Sequence, residues 1–279
     1  MNATRIEGFL VRAALVVFCT AFLVPLFWVG VTSLKSNDEI YDAGSFHIFP
    51  QDATFEHYAH VFSQLQDFPT YCFNTAKITS TTVFVVLLVC TLCGYALAKL
   101  EFRGKEAFLT FILVIMALPW MVMLTPLYQL AVTLGLLNTL PGLILPYAAM
   151  FLPVGILIMR SAFIAVPSEL REAAQMDGAS EFRIWWSVML PIARPSMIVV
   201  ILMTFLSCWK EFTYAVTLNS LPSSTTLAVG ITYLKDEAQS WAFGTLSAAI
   251  VIVVVPLIAV FLFLQKRIIG GLSEGALKG

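Results

Sequence analysis

Residues 168–195 read SELREAAQMDGASEFRIWWSVMLPIARP, a charged stretch that lies between two long hydrophobic segments of the chain. Residues 169–176 are mostly good helix formers and predict about two helical turns, with Ser168 as the N-cap. The pair Asp177-Gly178 predicts the end of this helix, because glycine readily adopts the left-handed conformation that often follows a helix. The stretch is therefore expected to begin with a short helix.

A second short helix is predicted at residues 181–190 of the same stretch. Pro191 is expected to break it, because proline has no backbone N–H and its ring clashes with the preceding turn. Two helices separated by a turn and flanked by apolar segments indicate a structured loop at a membrane surface.

The composition of the whole chain places this loop in a membrane protein. Of the 279 residues, 59% are hydrophobic and 12% are charged, whereas about 25% of the residues in soluble domains are charged. So few charges cannot cover the surface of a soluble globule, and the chain is interpreted as a polytopic membrane protein. Its net charge of −1 argues against nucleic acid as a partner.

Six transmembrane helices are predicted, because about 20 apolar residues are enough to cross a bilayer. They lie at about residues 9–34, 75–98, 108–131, 140–159, 196–218 and 245–264. In this arrangement twelve of the sixteen Lys and Arg residues fall on one side of the membrane and three on the other. By the positive-inside rule both termini are cytoplasmic, as are the loop at 160–195 and the tail at 265–279, and the loop at 35–74 is external.

The spacing of a Glu-Ala-Ala triplet, a glycine and a Leu-Pro pair resembles the EAA loop of permease subunits of bacterial ABC importers. The matched positions, with the aspartate before the glycine, are Glu172, Ala173, Ala174, Asp177, Gly178, Leu190 and Pro191. The family pattern has isoleucine where this chain has Val188. The resemblance implies a coupling helix that docks on an ATPase subunit through these residues. An ordinary loop with solvated charges is the alternative, and it would explain the triplet but not the full spacing.

Three further segments resemble carbohydrate-type permeases of the same family, so the resemblance covers nearly the whole chain. They are the link at 94–106, the segment LGLLNTLPGLILPY at 134–147 and the glycine-rich tail. The tail resembles that of the maltose-type second permease subunit. The resemblance implies an all-α membrane protein with six transmembrane helices and the type I ABC importer permease fold. It also implies a single permease domain over residues 1–279 and a multi-pass location in the bacterial cytoplasmic (inner) membrane.

The function that the resemblance implies is ATP-driven import of a sugar or oligosaccharide by alternating access. The implied partners are a second permease subunit, two ABC ATPase subunits and an extracytoplasmic solute-binding protein that delivers the sugar. The chain has no GxxxxGKS/T phosphate loop, so it is expected not to be an enzyme and to bind no cofactor or metal itself. ATP and Mg²⁺ would be bound by the partner ATPases.

The fifth predicted span contains a charged pair, Lys210-Glu211, which is costly at membrane depth. In a continuous helix Lys210 would share a face with Tyr214, and Glu211 would share one with Ser207. Trp209, Lys210, Glu211 and Tyr214 are therefore candidates for the translocation path, with aromatic rings suited to stacking on sugars. Pairing with a neighbouring helix or subunit is an equally weighted alternative. Related permeases usually have a Trp-Asn-Glu triplet here, so Lys210 departs from the pattern.

Other functions stay open at the level of the sequence. One is the same architecture with a glycerol phosphodiester or another polyol as cargo, for which Lys210 would favour an anionic group. Another is a secondary transporter driven by an ion gradient, which would require inverted repeats and more ionisable residues at the membrane midplane. No constellation of nucleophile, base and acid indicates a membrane-embedded enzyme.

Two features outside these regions have simpler interpretations. His57 and His60 are spaced for one face of a helix, but no further ligand accompanies them, so they are interpreted as solvated residues of the external loop. The tail contains Gly270, Gly271, Gly275 and Gly279 and is predicted to be extended and adaptable, with a disordered tail as the alternative.

Overall fold

The computed structural model describes residues 3–42, 47–65, 67–234 and 243–276, and the side chains of residue 8 and residues 11–265 within those ranges. The described residues are mostly helical and contain no β-strand. In chain order the helices are α1 (Ala3–Thr32), α2 (Asn37–Tyr41), α3 (Glu56–Gln64), α4 (Phe68–Lys99), α5 (Lys105–Met116), α6 (Leu124–Thr133), α7 (Pro141–Ile164), α8 (Ser168–Met176), α9 (Glu181–Ile184), α10 (Leu190–Ile192), α11 (Arg194–Trp209), α12 (Thr213–Leu218), α13 (Leu227–Gly230) and α14 (Phe243–Ala276).

The chain divides into two compact units. The first is formed by Met1–Pro69 with Gly230–Pro256, and the second by Thr70–Val229 with Leu257–Gly279. Four helices are long and apolar enough to cross a membrane, and they belong to α1, α4, α7 and α14. Two further helix pairs reach that length only if each pair is counted as one bent span, so the described residues contain four to six candidate spans.

The span predicted at 108–131 is a bent pair of helices rather than one continuous helix. α5 and the helical segment Trp120–Thr133 meet at 92°, and a turn of 3₁₀-helix at Trp120–Met123 leads into α6. Pro119 explains the break, because a proline pushes the residue before it out of the helical conformation and provides no N–H. Pro126 is tolerated in the first turn of α6, where its N–H would lack a helical partner.

The prediction of a continuous helix at 196–218 is wrong. α11 ends at Trp209, and α12 begins at Thr213. Lys210 to Phe212 form the break. The sequence lacks a proline or glycine at this point, and the physical cause is the hydrogen bonding of Glu211, which is described with the candidate site.

The loop at 168–195 differs from its prediction at two prolines. α8 begins at Ser168 itself, after Pro167, so Ser168 is not the N-cap. Pro191 lies inside the short helix α10 and does not break it, because a turn of π-helix at Trp185–Met189 precedes it and widens the backbone. The break comes after Ile192, where the helical segments on either side meet at 80°.

The segment predicted as an external loop, 35–74, is partly helical, since it contains α2, α3 and the start of α4. His57 of α3 is buried, with its Nε2 2.8 Å from the carbonyl oxygen of Lys35 and its Nδ1 3.4 Å from Thr245 Oγ1. The prediction of solvated histidines is therefore wrong for His57, whereas His60 is exposed.

The tail predicted to be extended is helical as far as the structure describes it, because α14 continues to Ala276. A glycine inside a helix costs about 0.5–1 kcal/mol relative to alanine. Each residue added to an existing helix nevertheless gains a hydrogen bond without a new nucleation cost, which explains how the helix continues through the glycines. Residues 277–279 lie outside the described residues.

Close packing of α4 against α7 forms the core of the second unit. A Cβ atom added to Gly94 would lie 2.8 Å from Met159 Cβ, and one added to Gly155 would lie 2.5 Å from Cys90 Sγ. The two glycines thus allow the helices to approach closely, as small residues commonly do between membrane helices.

The same core continues into the loop at 160–195. Ile184, Trp185 and Met189 are buried in one cluster with residues of α4 and α7. The second helix of the loop is therefore anchored to the end of the bundle. α8, by contrast, has no buried residue.

Candidate functional site

The first candidate site is α8 with the turn that ends it. Gly178 has a φ of +78°, which confirms its predicted left-handed conformation. Its N–H donates to the carbonyl of Gln175 at 2.9 Å, and the N–H of Ala179 donates to the carbonyl of Ala174 at 3.0 Å. This pair of bonds is a Schellman motif, which satisfies the last carbonyl groups of a helix. Any residue other than glycine would be strained at position 178.

The Glu-Ala-Ala triplet lies in α8, most of whose surface is open. Glu172 and Ala173 are exposed, and Ala174 is half-buried against the core. Glu172 forms no ion pair with any residue that the structure describes. Met176, at the end of the same helix, is 88% exposed. An open surface that combines exposed carboxylates with apolar neighbours is suited to binding another protein.

The remaining predicted residues of the loop lie on two different elements. Asp177 is exposed at the end of α8, next to Gly178. Leu190 and Pro191 belong to α10, where Leu190 is half-buried against the core and Pro191 is exposed. The structure thus gathers the triplet and the glycine on one helix and places the Leu-Pro pair on another.

Glu181 joins the loop to the bundle, and the sequence reasoning missed it. Its carboxylate accepts hydrogen bonds from the Tyr95 hydroxyl, the Arg171 guanidinium and the Gln175 amide, the last at 2.8 Å. Partial burial raises the pKa of Glu181, but the bonds from Arg171 and Tyr95 outweigh this effect and hold its pKa below the ordinary value. The available signal was Ser180, whose side chain caps the helix that begins at Glu181.

The second candidate site is the break between α11 and α12. The Glu211 carboxylate accepts hydrogen bonds from the N–H of Tyr214 at 2.9 Å, the N–H of Ala215 at 3.1 Å and the hydroxyl of Tyr147. A carboxylate is favourable here because the first N–H groups of a helix have no helical partner and carry partial positive charge. Glu211 therefore caps α12 and links it to α7, which agrees with the predicted alternative of pairing between helices.

The other residues predicted for the translocation path have separate environments. Lys210 is exposed and forms no ion pair with any described residue. Because it lies in the break between α11 and α12, it does not share a helical face with Tyr214 as predicted. Trp209 is buried, and its ring stacks on Phe205 with the centroids 5.4 Å apart. Of Trp209 and Lys210, only Lys210 therefore has an exposed side chain.

Tyr214 is buried and contacts the other broken helix. Its hydroxyl donates to the carbonyl of Trp120 at 2.7 Å, and its ring stacks on the Trp120 indole with the centroids 5.6 Å apart. Both rings line a cavity of about 450 Å³, whose wall is mostly apolar and includes Met123, Pro146 and Met150. The sequence reasoning missed Trp120, although the Pro-Trp pair at 119–120 was a visible break signal.

The family model and the relatives that match this chain agree with one another. A family model described as "Binding-protein-dependent transport system inner membrane component" matches residues 64–273. The chain is 34% identical to the diacetylchitobiose uptake system permease protein NgcG of Streptomyces coelicolor, over 96% of this chain and 88% of that protein. It is 32% identical to the sulfoquinovosyl glycerol transport system permease protein SmoH of Agrobacterium fabrum, over 92% and 89% of the two chains.

The fold also matches that of a solved transporter. A crystal structure of a bacterial ABC transporter involved in the import of the acidic polysaccharide alginate contains a chain similar to this one, with a TM-score of 0.83 and 26% identity. The match covers 95% of this chain and 98% of that chain.

Proposed function

The chain belongs to the family of binding-protein-dependent transport system inner membrane components, and we propose that it imports a sugar or oligosaccharide as one permease subunit of an ATP-driven complex. As a member of this family it is a multi-pass inner membrane protein and a transporter subunit rather than an enzyme. Family membership argues against the alternative of a secondary transporter driven by an ion gradient.

The main structural support for the proposal is the exposed helix α8 with the glycine turn that ends it. α8 has no buried residue, and Gly178 ends it in a conformation that other residues rarely adopt. A short helix that is open on one face is suited to docking in a groove of an ATPase subunit. The proposed coupling residues are Glu172, Ala173, Ala174, Asp177 and Gly178, with Leu190 and Pro191 joining the loop to the bundle.

The proposed complex contains a second permease subunit, two ABC ATPase subunits that bind ATP and Mg²⁺, and an external solute-binding protein. The distribution of Lys and Arg supports cytoplasmic termini and a cytoplasmic α8, on the side where ATP is available. Closure of the ATPases would move α8 as a rigid body, and the permease pair would then open outward to accept sugar. Packed interfaces switch between discrete arrangements, which suits such a transmission.

Affinity purification of the tagged chain from native membranes tests the complex. The wild-type chain is expected to bring down an ATPase with a phosphate loop and a second permease. Glu172→Arg is expected to weaken the binding of the ATPase about 30-fold, which is the effect of losing a hot-spot residue worth about 2 kcal/mol. It is expected to retain the second permease. Glu106→Arg is the matched control, because Glu106 is an exposed glutamate outside α8 that, like Glu172, forms no ion pair with a described residue. A wild-type chain that purifies without an ATPase would refute the proposal.

The sugar cargo is supported by the names of the relatives. The Streptomyces relative is named for diacetylchitobiose, and the solved transporter is described as an importer of alginate. The alternative cargo, a glycerol phosphodiester or another polyol, is favoured by Lys210, whose exposed ammonium group has no ion-pair partner among the described residues. The Agrobacterium relative, named for a glycerol-linked sugar, keeps this alternative relevant.

Calorimetry of the solute-binding protein that serves this transporter distinguishes these cargoes. The panel contains diacetylchitobiose, trehalose, alginate oligosaccharides, glycerol and glycerophosphocholine. Binding of a saccharide supports the proposal, and binding of glycerophosphocholine or glycerol alone supports the alternative. Uptake of the bound compound into proteoliposomes is then compared between wild type and Lys210→Gln, with a larger loss expected for an anionic cargo than for a neutral one.

A further inference from the structure

The segment that carries α8 is fastened to α4 at two points, one on each side of α8. Before α8, Lys99 Nζ donates a hydrogen bond to the carbonyl oxygen of Val166 at 2.6 Å. After α8, the Tyr95 hydroxyl donates to the Glu181 carboxylate. Tyr95 and Lys99 are about one helical turn apart at the C-terminal end of α4. One membrane helix therefore holds both ends of the α8 segment.

Glu181 also binds α8 directly. The Arg171 guanidinium forms an ion pair with its carboxylate, and the Gln175 amide donates to the same carboxylate at 2.8 Å. Arg171 and Gln175 are four residues apart, so they lie on one face of α8. A single carboxylate thus connects α4, α8 and the helix that begins at Glu181.

The environment of this carboxylate favours a rigid connection. Tyr95 is 4% exposed, and its ring packs edge-on against Phe163 of α7 with the centroids 5.8 Å apart. The Tyr95 hydroxyl therefore has little freedom to leave Glu181. Hydrogen bonds in which one partner is charged are also stronger than those between neutral groups.

We propose that Glu181 is a positioning residue that joins α8 to α4, so that the two helices move as one body when the ATPases close. The inference rests on the proposed function, because movement of α8 has a consequence only if α8 docks on an ATPase. Glu181 lies outside the matched pattern of the EAA loop. The inference adds α4 to α7, which the chain itself connects to α8, as a membrane helix that receives the movement of α8.

Distance measurements between two spin labels test this connection in the assembled transporter. The labels replace Leu92 of α4 and Glu169 of α8, both exposed, through a genetically encoded ketone amino acid that leaves the five native cysteines unlabelled. The complex is studied in nanodiscs, first without nucleotide and then with Mg-ATP and vanadate. The wild type is expected to give one narrow distance that is the same in both states.

Glu181→Ala is expected to broaden the distance distribution and to make it differ between the two states by roughly 1–5 Å, the size of known helix shifts. Tyr95→Phe removes only the hydroxyl and is expected to give a similar but smaller effect. Glu181→Gln keeps one acceptor oxygen but loses the charge and the second acceptor, so it is expected to give a distribution between those of Glu181→Ala and the wild type. Tyr58→Phe is the matched control, because it removes a tyrosine hydroxyl that bonds to Ser33 at 2.9 Å within the other unit.

The outcomes separate this inference from the proposed function. A wild-type chain that assembles with no ATPase refutes the proposed function before any variant is compared. An assembled complex in which Glu181→Ala and Tyr95→Phe both keep the wild-type distances in both states overturns the role of Glu181 alone. If Glu181→Ala fails to assemble, Tyr95→Phe decides, because it keeps the buried ring and its packing on Phe163.

Discussion

Replacing Glu211 by alanine is expected to destabilise the protein, because it removes three hydrogen bonds at the start of α12. The carboxylate accepts from two backbone N–H groups and from the Tyr147 hydroxyl. Loss of an N-cap costs about 0.5–2 kcal/mol, and a hydrogen bond between membrane helices is worth about 0.6 kcal/mol on average and about 1.7 at most. The expected loss in the free energy of unfolding is therefore about 1–4 kcal/mol.

The neighbouring residue provides the control for this change. Lys210→Ala alters an exposed side chain that forms no ion pair with any described residue, so we expect little change in stability. Glu211→Gln retains one oxygen, which can accept from the Ala215 N–H and the Tyr147 hydroxyl, but its amide NH2 cannot accept from the Tyr214 N–H, so it should recover only part of the loss. The three variants thus separate the hydrogen bonds of Glu211 from the effect of removing a charge at this break.

Thermal unfolding in detergent, followed by the fluorescence of the six tryptophans, measures the difference. A loss of 1 kcal/mol corresponds to about 2–4 °C in Tm for a chain of this size, so Glu211→Ala should unfold several degrees below wild type. Equal Tm values for Glu211→Ala and wild type would refute the capping role. A larger fall for Lys210→Ala than for Glu211→Ala would show that Lys210, rather than Glu211, stabilises the break.

Three further changes have expected outcomes. Gly178→Leu should weaken ATPase co-purification several-fold at unchanged membrane yield. A residue with a side chain is destabilised by about 1–2 kcal/mol at the φ of +78° that Gly178 adopts. Unchanged co-purification would count against the docking role. Gly155→Leu should lower the Tm strongly, because its Cβ would lie 2.5 Å from a sulfur of α4. Gly30→Ala should not, because its Cβ would meet no atom within 4 Å apart from the adjacent backbone of its own helix. Tyr214→Phe should lower the Tm slightly, by the loss of one bond to Trp120, and a wild-type Tm would show that this bond contributes nothing.

The part of the loop that could be predicted from the sequence is the part with local signals. The helix at 169–176 and the left-handed Gly178 follow from helix propensity and from the freedom of glycine, and both are present in the structure. Pro191 was misjudged because the turn of π-helix before it depends on the burial of Trp185 and Met189. No pattern in the neighbouring residues reports that burial.

The hydrogen bonds that hold the two candidate sites could not be predicted in the same way. Tyr95 and Glu181 are 86 residues apart in the sequence, and Tyr147 and Glu211 are 64 residues apart. Each carboxylate is positioned by a tyrosine on another helix. Propensity and periodicity describe one segment at a time, so they identified Glu211 as an anomaly without indicating its partner.

Tyr214 shows why both broken helices were misread as continuous spans. Its N–H donates to Glu211 at 2.9 Å at one break, and its hydroxyl donates to the carbonyl of Trp120 at 2.7 Å at the other. A break frees backbone groups, and the interior of a bilayer has no water to bind them. One buried residue here satisfies groups at both breaks, so each interruption is stabilised by the other helix. Counting apolar residues along the sequence gives the length of such a segment, but it does not identify the residue on another helix that stabilises the break.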